Sequence, residues 1–103
     1  MEQCERITRM ETILNAQTEQ LARLDAGLSW LESHQAEYAA LCDYYSSEQY
    51  RQDLAADEAG RLPQDLPRGV LSEDGIWNCC TDYRALALRM MEVGLAMLKN
   101  DGE

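Results

Sequence analysis

The stretch Ile7–Tyr45, ITRMETILNAQTEQLARLDAGLSWLESHQAEYAALCDYY, decides the fold. Its apolar residues fall three and four apart: Ile7, Met10, Leu14, Leu21, Leu24, Leu28, Leu31, Tyr38, Cys42 and Tyr45. Gln17 and Gln35 sit in register with that stripe and are its polar members. An apolar repeat of about 3.5 residues held this long is the pattern of a helix packed along a seam. It predicts one helix from residue 5 to residue 46, roughly 63 Å long at about 1.5 Å per residue. Gly27 lies inside it. Leu21, Leu24, Leu28 and Leu31 keep their phase across that glycine, whereas a loop would shift it. A continuous helix is therefore expected, since a glycine in a helix interior costs only ~1 kcal/mol. A turn at Gly27–Ser29, giving a short bundle of four helices, is the alternative.

Working outward, Ser46 with Gln49 has capping-box spacing, and Ser47 is a second candidate cap. A short helix over 48–58 is expected, closed by Gly60. Asp57 and Glu58 would stand in its last turn, where the helix dipole disfavours carboxylates, so Arg61 or Arg68 is expected beside them. The loop over 60–71, GRLPQDLPRGVL, carries Pro63 and Pro67 and cannot be helix interior. Leu62, Leu66, Val70 and Leu71 mark it as a loop that packs onto something. The last helix is expected over 73–99. Ser72 is its N-cap, Glu73 and Asp74 complement its dipole, and Leu71 with Ile76 has hydrophobic-staple spacing. Its stripe runs Ile76, Cys79, Tyr83, Leu86, Met90, Val93, Met97, beside a line of small residues, Cys80, Ala87 and Gly94.

At roughly 40 Å this helix is shorter than the first. Folded back antiparallel from the Tyr45 end, it would run out near Gln17 and leave Ile7, Met10 and Leu14 uncovered. An uncovered apolar stripe is usually an interface. The expectation is a single all-α domain over 1–103, an elongated antiparallel helical hairpin that pairs through Ile7, Met10 and Leu14 as a homodimer.

Bulk properties narrow the function. Nineteen acidic against nine basic residues give a net charge of −10 over 103 residues. Phosphate binding is built from Lys and Arg, so the charge argues against nucleic acid or an anionic membrane as the main partner. No stretch approaches the ~18 apolar residues of a membrane span. Glu2, Gln3, Cys4 and Glu5 stand where a signal peptide needs a basic region and an apolar run. Cys4, Cys42, Cys79 and Cys80 have no disulfide-scaffold spacing. The chain is read as cytoplasmic, with reduced thiols.

Candidate chemistry is sparse. Adjacent Cys79 and Cys80 point about 100° apart on a helix and make no natural chelate, which leaves them as core thiols. His34, the single histidine, has no nucleophile placed beside it by spacing and reads as a surface or interface residue. Asp53 and Asp57 share a helix face, and with Glu73 and Asp74 they could hold Mg²⁺. Salt bridges to Arg51, Arg61 and Arg68 explain the same carboxylates, and the tandem ExxE pattern of all-α nucleotide pyrophosphatases is absent. Tyr38, Tyr44, Tyr45, Tyr50, Trp77 and Tyr83 gather near the helix junction, as core packing or as a small pocket.

The block Tyr44–Trp77, YYSSEQYRQDLAADEAGRLPQDLPRGVLSEDGIW, resembles the bacterial domain-of-unknown-function family 4298. Leu62-Pro63, Leu66 and the run Arg68–Asp74 carry the resemblance, with Tyr44, Tyr45, Ser47, Asp53 and Gly60. Tyr50 stands where the family pattern has Trp, and Cys79-Cys80 where it has aliphatics. The resemblance extends over nearly the whole chain and implies a small α-helical bacterial protein; it brings no activity.

These readings converge on a non-catalytic interaction or assembly module without cofactor. Its head, with Tyr45, Asp53, Arg68, Glu73 and Asp74, is the surface for a protein partner. A Mg²⁺-dependent nucleotide-binding or hydrolytic protein using Asp53, Asp57, Glu73 and Asp74 is the alternative. An acidic nucleic-acid mimic ranks third, because the carboxylates are scattered rather than spaced like phosphates.

Overall fold

Helix-forming sequence runs unbroken by proline to residue 62, and the computed structural model, which describes residues 1–101, follows it. The elements are α1 (Glu2–Ser33), α2 (Gln35–Tyr45), α3 (Glu48–Glu58), a 3-10 turn (Gly69–Leu71) and α4 (Gly75–Asn100). Among the described residues there is no strand, and the class is all-α. The chain divides into two compact units, residues 1–38 and 39–103.

In the first unit, α1 runs straight through Gly27, as the leucine phase requires. The single helix expected to residue 46 is instead interrupted at His34. There the His34 N–H bonds the Leu31 carbonyl at 3.3 Å, three residues back instead of four. The Trp30 carbonyl that loses this partner accepts from His34 Nδ1 at 2.7 Å and from Ser33 Oγ at 3.2 Å. Gln35 Nε2 reaches back to the Leu31 carbonyl at 3.0 Å. Three consecutive side chains thus compete with the backbone ladder for its own carbonyls. The His34 ring lies flat on the Trp30 indole, with centroids 4.0 Å apart, which holds the interruption in one geometry.

The second unit is organised by its caps. Ser47, of the two candidates, is the N-cap of α3: its hydroxyl accepts the Tyr50 N–H at 3.1 Å and donates to the Tyr44 carbonyl at 2.7 Å. At the other end Gly60 takes φ +70, the left-handed conformation that glycine adopts without strain. The Gly60 N–H bonds Asp57 O and the Arg61 N–H bonds Ala56 O, which closes α3 with a Schellman pair.

The last helix begins two residues later than expected. Asp74 is its N-cap and makes no side-chain cap bond, and Gly75 is its first residue. Ser72, the expected N-cap, lies two residues outside the helix and closes the 3-10 turn: its Oγ accepts the Gly75 N–H at 3.1 Å while donating to Gly69 O at 2.6 Å. The 3-10 turn packs against both α3 and α4. Leu71 on that turn and Ile76 on α4, the pair with staple spacing, are the two buried residues among those described. The core of this unit therefore sits where the proline loop meets the start of α4.

Candidate functional site

Side chains on α1 alternate between a polar surface and one apolar face. Every residue from Met1 to Trp30 is exposed. Ile7, Met10 and Leu14, the expected interface, are 46–59% exposed. The open face extends further than expected: Leu21, Leu24 and Leu28 are 40–51% exposed as well. Arg6, Ile7, Met10, Glu11 and Leu14 together line a shallow depression at its start. Elsewhere on α1 the Arg23–Glu19 pair, 3.1 Å apart, follows i,i+4 spacing.

The C-terminal half of α4 carries two such faces. Leu86, Val93 and Met97 of the expected stripe are exposed. So are Leu88, Met91, Leu95 and Leu98, a second stripe that the hairpin expectation does not use. At ~100° per residue it lies about 150° round the helix from the first. Its three-four-three spacing was legible in the sequence. A hairpin needs only one such stripe, so the spacing alone does not single this one out.

The head combines tyrosines with paired charges. Tyr44 Oη donates to Asp53 Oδ2 at 2.6 Å. That bond, with burial and the nearby carboxylate charge behind it, pushes the Tyr44 phenol up to about 12, because losing its proton would set two anions together. The Tyr50 ring meets Tyr44 edge-on at 5.4 Å and Tyr45 at 5.3 Å. Trp77, expected in the cluster, is instead 61% exposed. Arg68, one of the two candidates to relieve the α3 C-terminus, pairs with Asp57 at 2.7 Å, and both side chains are largely shielded. Glu73 and Asp74 are exposed.

The carboxylates weighed for Mg²⁺ do not converge. Asp53 is held by Tyr44 and Asp57 by Arg68. Among the described residues no three His, Cys, Asp or Glu side chains are gathered as a metal ion needs. Cys42 Sγ and Cys80 Sγ approach to 3.6 Å, both half-buried, while Cys79 is exposed. No helix among the described residues is long and apolar enough to cross a membrane.

Residues 7–93 match the family described as Domain of unknown function (DUF4298). The chain belongs to this family. The DUF4298 match takes in the apolar face of α1 from its first residue, Ile7, the whole head, and α4 as far as Val93. No curated protein and no solved structure matches the chain.

Proposed function

We propose that the protein is a non-catalytic helical assembly module of the cytoplasm, which forms a homodimer through the apolar face of α1 and offers its head to a protein partner. One observation carries the reading: six apolar side chains at heptad spacing, Ile7 to Leu28, stand open to solvent along one helix. Exposed apolar runs of this length are rare on monomers and mark interfaces. A chain of 103 residues also gains much from association, since a domain of this size buries only roughly 60–70% of its unfolded surface. The net charge of −10 points the head towards a basic or neutral protein surface.

Absolute mass by light scattering across a dilution series tests this. Twice the chain mass of 11.7 kDa is expected at high concentration. Leu14→Asp should return the mass of one chain while the head stays folded. A wild-type protein that remains a single chain at the highest concentration overturns the reading.

A further inference from the structure

We infer that the two copies of α1 lie parallel and in register, each Arg6 facing the partner's Glu11 and Gln17 facing the partner's Gln17. This rests on the homodimer reading and adds its orientation.

Gln17 occupies the same position of the repeat as Met10 and Leu24, three residues after Leu14 and four before Leu21. It is exposed in the single chain. Pairing along the seam takes it out of water, so its amide needs a polar partner. In a parallel, in-register pair each seam residue meets its own copy. Two Gln17 amides then face each other, and each carries both a donor and an acceptor. In an antiparallel pair confined to α1, which ends at Ser33, the two sets of seam positions interleave, so Gln17 falls beside a leucine, Leu14, Leu21 or Leu28 of the other chain, and its amide is left unpaired. Within α1 Gln17 is the one polar member of the seam, and a single polar residue in an apolar seam is a known device for fixing register.

The flanks of the seam agree. Arg6 and Glu11 border it on opposite sides, around the depression floored by Ile7, Met10 and Leu14. Neither forms an ion pair among the described residues. In parallel pairs a residue on one flank faces the residue five positions later on the other flank of the second helix. Arg6 therefore meets the partner's Glu11, and two-fold symmetry makes the pair twice. In the antiparallel register that matches Ile7 with Leu31, the last seam residue of α1, each flank meets itself. Glu11 then falls beside the partner's Asp25, and like charges oppose the arrangement.

A charge-swap cycle tests the orientation, read as the dimer Kd by sedimentation equilibrium. Arg6→Glu and Glu11→Arg each place like charges together at two symmetric sites, and each should weaken the dimer roughly tenfold. The double variant restores opposite charges only across a parallel pair, and its Kd should return to within about threefold of wild type. A double variant as weak as the product of the singles overturns the parallel arrangement while the dimer itself stands. A wild type with no dimer at any concentration removes the assembly reading instead. The substituted residues are exposed on the first turns of α1, so circular dichroism of each variant should match wild type under dimeric conditions.

Discussion

Gly75 has no side chain because the space for one is taken. A Cβ there would collide with the backbone carbonyl of Gly69 and stand 2.8 Å from Ser72 Oγ. The carbonyl cannot swing away, since it accepts the Ser72 hydroxyl and the Ser72 N–H. Gly75→Ala should therefore cost about 1–3 kcal/mol, as overpacking at a rigid site does, seen as a lower midpoint in thermal or urea unfolding. Gly27→Ala is the control. Nothing lies within 4 Å of its Cβ position, so in mid-helix it should stabilise by about 0.5–1 kcal/mol. Tyr44 gives a prediction in pH. Its phenol is held protonated to about 12 by Asp53, against about 10 in an unfolded chain. The folded state thus binds the proton more tightly, so this contribution to stability is complete below pH ~10 and fades as pH rises towards ~12. Ultraviolet titration of tyrosinate should show one phenol ionising late, and Asp53→Asn should bring it down. Ser47 and Gly60 are readable from sequence because each acts on backbone three or fewer residues away. Gly75 is not, because the atom that forbids a side chain there comes from the 3-10 turn folding back.

Among the elements, periodicity identified faces better than it identified continuity. The seam keeps its phase from Ile7 through Tyr45, yet the helix stops and restarts at His34. The phase survives because one residue in a helix-like turn carries the chain round by nearly the same angle. What marks the interruption is Ser33-His34-Gln35, three side chains that bond carbonyls of the preceding turn, a signal of residue type rather than of spacing. For α3 both boundaries were legible, because a Ser-capped start and a Gly end are local chemistry. Ser47→Ala should cost ~1 kcal/mol, measured by urea unfolding. An unchanged midpoint would mean that another donor or water replaces the hydroxyl. The pairing of Arg68 with Asp57 followed from the same logic. Acids at a helix C-terminus need a cation, and the loop that returns to α3 brings one. Of the carboxylates in the alternative reading, Asp53 is held by Tyr44 and Asp57 by Arg68, each singly.

At the scale of the whole molecule, stability and assembly are one question for α1. With residues 1–30 all exposed, this helix of 32 residues draws its order from local propensity and from whatever covers its apolar face. Most helices in proteins take their stability from packing of that face, and isolated ones are marginal in water. The dimer should therefore be visible as secondary structure as well as mass. Diluting wild type through its Kd should lower the far-ultraviolet helical signal, as α1 frays in the released monomer. The near-ultraviolet signal of the Tyr44–Tyr45–Tyr50 cluster should hold, because those contacts lie within residues 39–103. Leu14→Asp should show the diluted signature at every concentration. A helical signal that stays constant while the mass halves would mean that α1 is self-sustaining and that its apolar face contributes affinity but not folding. A near-ultraviolet signal that falls in step with the helical one would mean that the head depends on the assembled α1, and that the two compact units fold as one cooperative whole.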